Sequence, residues 1–460
     1  MMGMPWKALT PCRAGGAGAW PPHPPPVGRM RRATPSASSP QTVKPIAARR
    51  NHPSTERYWR MHKMPTLPKT HALPPLRHFV WLLLPLVWLT GCFPERPPQI
   101  RQVALADLDG DGALDVVLAS GRFGEPYSYP TELTYQVLYN NGAGEFAHTA
   151  ELPQQMHYFA VALGDLDNDG MLDAILNPGL SIAWNDGRGM LQRSSHIQGV
   201  DSFSGFQGGI ALADLDGDGA LDIFVAECCG SMHFGQAGPP RFVPSTNLVL
   251  LNDGNGTFHN TMQALDTHGS TAVALGDLNG NGSPDAFVAN GPTMRDDGNG
   301  TILQTPNSVW FNDGNGFFTA SQQDLGTQES HAVALGDLNG DGALDAVVGN
   351  QGPDEIWLND GHGLFTLLGT LPTGPTKAVF LVDLDGDDVL DLVTAEATRV
   401  RLWRNDGQGN LSALPANMRY SANDAVAVGD LNGNGLPDIF VAYVDDYAVW
   451  FNQGDGSFRR

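Results

Sequence analysis

One nine-residue pattern, with Asp at positions 1 and 9 and Asp or Asn at positions 3 and 5, occurs seven times in this chain. Its copies begin at Asp107, Asp165, Asp214, Asp277, Asp337, Asp383 and Asp430, at spacings of 58, 49, 63, 60, 46 and 47 residues. Self-similarity at such a period marks stacked supersecondary units, none of which can bury its apolar face alone. The clearest copy is His331–Thr366, HAVALGDLNGDGALDAVVGNQGPDEIWLNDGHGLFT. The apolar run Ala332–Leu335 reads as a strand. The loop Asp337–Asp345 follows, and then a second apolar run, Ala346–Gly349. A third, Glu355–Leu358, ends in Asn359-Asp360-Gly361, a hairpin signal because these residues accept positive φ at little cost. Phe365 opens a fourth strand. Four short strands joined by tight turns predict one antiparallel sheet per repeat and an all-β body.

The loop carries chemistry. Side-chain oxygens at positions 1, 3, 5 and 9, with a backbone carbonyl free at position 7, make a hard-oxygen cage. Such a cage suits Ca2+, which takes roughly six to eight oxygens at about 2.3–2.6 Å. Glycine at position 6 permits the sharp turn. An EF-hand has a longer loop, a terminal Glu and flanking helices, and dockerin loops also lie on helices; β-prone flanks argue against both. Three loops offer four aspartates each: Asp107, Asp109, Asp111, Asp115; Asp165, Asp167, Asp169, Asp173; and Asp214, Asp216, Asp218, Asp222. The fifth offers Asp337, Asn339, Asp341 and Asp345. The fourth (Asp277, Asn279, Asn281, Asp285) and the seventh (Asp430, Asn432, Asn434, Asp438) keep two carboxylates, which predicts weaker binding. The sixth has Asp383, Asp385, Asp387 and Asp391, but Asp388 stands at the glycine position and puts the loop's geometry in question.

Each loop sits between apolar runs, VALGD before and DAVVG after in the fifth repeat, with close variants in the others. Each repeat then reaches a turn at Asn140, Asn185, Asn252, Asn312, Asn359, Asn405 or Asn452. Six residues on sits Phe146, Leu191, Phe258, Phe318, Phe365, Leu411 or Phe458. Trp310, Trp357, Trp403 and Trp450 precede the turn Asn by two, a register that predicts shared core positions rather than sugar-stacking platforms. The loops and the N-D-G-x-G-x-F turns resemble FG-GAP/VCBS repeats, the blades of integrin α-chain-like β-propellers. The resemblance covers roughly residues 99–460. It implies a seven-bladed β-propeller of four-stranded antiparallel blades, with Ca2+ in the loop joining the first and second strands of each blade. It implies no single function, since propellers host many.

Charge divides the chain. Residues 1–98 hold 14 Lys and Arg against two acids, while residues 99–460 hold 13 bases against 47 acids, a formal charge of −34. A body this acidic excludes nucleic acid and polyanionic polysaccharides as partners by repulsion. Residues 1–60, rich in Pro, Arg, Ala and Ser, read as disordered or as lying upstream of the true start. Residues 61–91 read as a signal peptide. Lys63, Lys69 and Arg77 precede an eleven-residue apolar run, Phe79–Leu89, which is short for a membrane span. Leu89-Thr90-Gly91-Cys92 resembles a bacterial lipobox, which implies lipidation at Cys92 and a tether over residues 92–98. The expected location is a bacterial cell envelope, anchored by lipid. So short a tether predicts that Ser457–Arg460 forms the outer strand of blade 7, and that the ring closes by packing without strand exchange. Cys228 and Cys229 read as a packed or strained pair. His157, His268 and His331 precede first strands, and nothing in the spacing pairs them with a nucleophile.

The loops and the N-D-G turns belong to one face. On the other, the second–third connections are long in blade 1 (Ser120–Leu133), blade 3 (Glu227–Thr246) and blade 4 (Asn290–Asn307). They carry Tyr127, Tyr129, His233, Phe234, Arg241, Phe242, Met294 and Arg295, residue types that dominate binding hot spots. The expectation is a non-catalytic module that binds a protein or a neutral glycan there. The alternative is a carbohydrate-active enzyme on a calcium-binding propeller, which would need a convergent acid/base set on that face.

Overall fold

The computed structural model describes residues 99–460 except 124–129, 155–159, 178–179, 198–206, 228–230, 234–240, 244–245, 266–268, 295–301, 416–417, 420–423 and 444–445. The upstream segment, the signal peptide, Cys92 and the tether therefore lie outside the described residues, as do the Cys228–Cys229 pair, His157 and His268.

Seven antiparallel sheets follow one another, spanning 99–154, 160–196, 207–260, 269–320, 330–371, 376–419 and 425–459. Each has four strands in sequence order across the sheet, and blade 6 adds a short piece, Met418–Arg419, on its third strand. In blade 5 they are Ser330–Gly336, Asp345–Asn350, Asp354–Asn359 and Phe365–Leu371. First strands pack side by side from blade 1 through blade 6, and the first strand of blade 7 packs on that of blade 1. The fold is a seven-bladed β-propeller.

The ring is held by seven apolar clusters, one in each gap between neighbouring blades. In blade 1, Val117 and Ala119 face blade 2, while Val116 and Leu118 face blade 7. Both sides of a second strand are thus buried, which is why these runs are apolar at every position instead of alternating. Each fully buried aliphatic or Phe side chain contributes about 1.5–3 kcal/mol. The aromatic six residues past the turn Asn belongs to this packing. Phe146, Phe318 and Phe365 each meet a Phe of the preceding blade edge-on, at 5.2, 5.4 and 5.3 Å between centroids. Trp357 and Trp403 are buried in the same gaps, and Trp310 and Trp450 are packed at their margins. The tryptophans thus share core positions, as their common register predicts.

Among the described residues, the ring closes by packing. The fourth strand of blade 7 is Phe458–Arg459, paired on Tyr447–Asn452, and all four strands of that blade come from 425–459. Val116, Leu118 and Leu138 of blade 1 then seal against Leu431, Phe440 and Val449 of blade 7.

The long connections are partly β-paired. In blade 1 the ladder continues past Ser120, through Gly121↔Leu133 and Arg122↔Glu132 to Phe123↔Pro130. The β-prone residues Leu133, Thr134 and Tyr135 extend the pairing, so that only the tip is left as loop. Blade 3 inserts a hairpin, Ser231–His233 paired with Arg241–Val243, and blade 4 inserts Thr293–Met294 paired with Ile302–Leu303.

Blade 5 makes its second–third connection short and polar. Asp354 Oδ1 accepts from the Asn350 N–H at 2.8 Å, and its Oδ2 accepts from Thr376 Oγ1 of blade 6 at 2.9 Å. The carboxyl is wholly buried, and that burial pushes its pKa up to about 6 from 3.8. The folded chain therefore holds this proton more tightly than the unfolded chain, so stability falls as pH rises from about 4 to 6. Asp354→Asn keeps one acceptor, offers Thr376 a donor and cannot ionise. The unfolding free energy of the variant, from urea titrations, should fall less across that window than that of the wild type, by an amount on the order of 2 kcal/mol. Equal slopes would show that Asp354 stays ionised.

Candidate metal centre

The seven loops share one hydrogen-bond plan, and each uses its own carboxylates. The position 1 Asp accepts the N–H of residue 6 on Oδ2 in every loop, from Gly112 to Gly435. The position 5 oxygen accepts the N–H of residue 7 in every loop. The position 9 Asp uses both oxygens. In blade 5, Asp345 Oδ2 accepts from Leu338 N at 3.0 Å and Oδ1 from Asn359 N at 2.8 Å. The sequence presents position 9 as a cation ligand; structurally it is first a bracket that joins the loop to the N-D-G turn.

These brackets are buried in all seven blades. Burial pushes Asp115, Asp173, Asp222, Asp285 and Asp345 up to about 6, and raises Asp391 and Asp438 as well. Nearby loop acids push in the same direction, and the accepted N–H groups oppose it. A cation in the loop would relieve this strain on the anion.

Carboxylate oxygens converge within 4.8 Å in four blades: Asp107, Asp109 and Asp115; Asp165, Asp167 and Asp173; Asp214, Asp216 and Asp218; Asp383, Asp385 and Asp391. Oδ1 of Asp167 and of Asp385 is buried with no hydrogen-bond partner, so an acceptor remains open in each of those loops. In blade 5 the position 3 amide turns instead onto its own loop, Asn339 Nδ2 donating to Asp341 Oδ2 at 2.9 Å. Blades 4 and 7 present two carboxylates each, as their sequences require. The donor set is all oxygen and anionic, and it fits a hard divalent cation.

The sixth loop keeps this plan despite its missing glycine. Asp388 adopts φ 64° where the equivalent glycines lie at 85–92°, and its N–H still reaches Asp383 Oδ2 at 2.9 Å. The question over its geometry is settled in favour of a normal loop. Left-handed φ costs a Cβ-bearing residue roughly 1–2 kcal/mol, less for Asp than for most. Asp388→Gly should raise the unfolding free energy by about 1 kcal/mol, read as a higher urea midpoint; a lower midpoint would mean that the Asp388 carboxylate has a favourable role.

The turn asparagines do more than turn. Asn359 Nδ2 donates to Leu344 O in its own loop and to Leu278 O in the loop of blade 4, the latter at 2.8 Å. Its Oδ1 accepts from Gly361 and Gly363. The bond to the preceding blade recurs in all seven at 2.8 Å, and Asn140 to Leu431 closes the circle. Sequence reasoning missed this clasp and the buried position 2 leucine that receives it. A signal existed: Asn is kept at all seven turns even where the next residue is Asn141 or Gln453 instead of Asp.

The FG-GAP-like repeat family matches residues 107–176, 337–394 and 383–441. The chain carries FG-GAP-like repeats. No curated protein matches it. Among solved structures, a lectin of Agrocybe aegerita described as recognising non-reducing terminal N-acetylglucosamine is 19% identical, with TM-score 0.47, over 76% of this chain and 86% of that one. BBS1N in complex with ARL6DN is 12% identical, with TM-score 0.49, over 78% and 95%. A Pseudomonas aeruginosa periplasmic gluconolactonase is 13% identical, with TM-score 0.43, over 73% and 86%.

The side chains of the eight expected ligand residues of this propeller lie outside what the structure describes, and four of the eight are placed by their strands alone. Tyr127, Tyr129, Phe234 and Arg295 lie outside the described residues. His233, Arg241 and Phe242 fall on the blade 3 hairpin, where His233 is paired with Arg241, and Met294 falls on the blade 4 hairpin.

Proposed function

We propose that this protein is a calcium-stabilised binding module, tethered through Cys92 in a bacterial cell envelope, that offers the face opposite its loops to a protein or a neutral glycan. The supporting observation is the contrast between its two faces. The loop face repeats one plan seven times. The opposite face is irregular, with inserted hairpins in blades 3 and 4 and an extended one in blade 1. Recognition concentrates where connections vary on a rigid frame. The residues proposed to hold Ca2+ are those at positions 1, 3, 5 and 9, most strongly in blades 1 to 3, where every position is Asp. The ion would supply positive charge to acids that the fold has already gathered.

The test is to shorten the blade 3 hairpin between Ser231 and Val243 and to compare capture of envelope proteins and neutral glycans by the two chains. Lost capture with an unchanged calcium response is the expected result. Capture that survives, and is lost instead on changing Arg188 and His362 in the turns, would place recognition on the loop face. Turnover of a bound glycan would favour the carbohydrate-active alternative. Cys92→Ser should move the protein from the membrane fraction to the soluble one.

A further inference from the structure

The sixth loop departs from its siblings through a residue outside it. In six blades the residue before the turn Asn is apolar or aromatic: Tyr139, Trp184, Leu251, Phe311, Leu358 and Phe451. Each packs on the second glycine of the next blade's turn. The approach is so close that a Cβ at Gly256 would lie 2.1 Å from Trp184, and one at Gly363 would lie 2.4 Å from Phe311. In blade 6 this residue is Arg404, and Leu414 takes over the packing against Gly456 of blade 7.

The released side chain turns to its own loop. Arg404 Nη2 pairs with Oδ2 of Asp385, the position 3 acid, which is 10% exposed. That loop holds five carboxylates, Asp383, Asp385, Asp387, Asp388 and Asp391, one more than any other. Three of them converge as they do in blades 1 and 2, where no described arginine pairs with the position 3 acid. A guanidinium is permanently charged, and its planar donors suit carboxylate oxygens. It also arrives on a short tether from the adjoining strand, at a high effective concentration. A divalent ion entering this loop finds Asp385 already carrying a cation on Oδ2, so only Oδ1 is left to it and the guanidinium repels it at close range.

We propose that Arg404 is the built-in cation of the sixth loop, and that this loop, unlike the similarly acidic loops of blades 1 to 3, does not take up calcium. The inference rests on the calcium reading above. It also gives the loop that carries a fifth acid, at the glycine position, one positive charge that is present whether or not calcium is.

The experiment counts calcium bound to the full chain by titration and locates it by long-wavelength anomalous scattering from calcium-grown crystals. The expected wild-type result is calcium in the loops of blades 1 to 3 and none in blade 6. Arg404→Leu, which installs the residue that blade 5 uses, should bind one more ion per chain, with a new peak at Asp383, Asp385 and Asp391. If that variant does not fold, Arg404→Met serves, and the wild-type map still decides the first half. Calcium in the wild-type sixth loop overturns the proposal with the calcium reading intact. So does a sixth loop that stays empty in a folded variant whose blades 1 to 3 are loaded. Calcium in no loop of either chain overturns both.

Discussion

Asn359→Ala is expected to lower the unfolding free energy by about 3 kcal/mol or more, a larger loss than for any other residue of its turn. The side chain is 3% exposed and makes four hydrogen bonds, two as donor and two as acceptor. Truncation leaves Leu278 O of the neighbouring blade and the Gly363 N–H inside the protein without these partners. A buried polar group left unsatisfied costs about 1–3 kcal/mol, against roughly 1 kcal/mol for an ordinary exposed bond. Asp360, the next residue, is the control. Its carboxylate accepts from His362 N and Leu364 N, but it is exposed, so water replaces what Asp360→Ala removes. Urea unfolding of both variants should separate them by more than about 2 kcal/mol, given the same costs. A loss below about 1 kcal/mol for Asn359→Ala, no more than one ordinary bond, would mean that the blades are held by the apolar gaps alone.

What the sequence made legible was local. Seven loops, seven turns and the apolar runs between them set the blade count and strand order, because each depends on residues within one repeat. The bracket between Asp345 and Asn359 is already at the edge of that reach, at 14 residues. The clasp from Asn359 to Leu278 spans 81 residues, and the one closing the ring spans 291. No pattern within one repeat states which carbonyl of another blade an amide will meet. Arg404 is hidden for a different reason. A basic residue late in a strand reads as solvated, and only the packing of the six other blades reveals that its place belongs to an apolar side chain. The hairpins of blades 3 and 4 were hidden by length: two or three residues, as in Thr293–Met294, give no measurable alternation.

Calcium should shift the melt of this protein more than any single substitution. A ligand that binds only the folded state stabilises it by about 2.7 kcal/mol per site at a hundredfold excess over its dissociation constant. The loops of blades 1 to 3 offer three such sites with four carboxylates each. Without the ion, their buried position 9 acids face the other acids of their own loop and backbone N–H groups. Asp216→Ala should therefore remove more of the shift than Asn434→Ala, which alters a loop with two carboxylates. The most direct test is the melting temperature of the full chain in saturating calcium and then in excess chelator. The account predicts a large, reversible fall on chelation that magnesium does not restore, since magnesium demands tighter octahedral geometry and sheds its water reluctantly. An identical melting temperature in calcium and in chelator would contradict it and leave the seven loops as carboxylate-bonded turns.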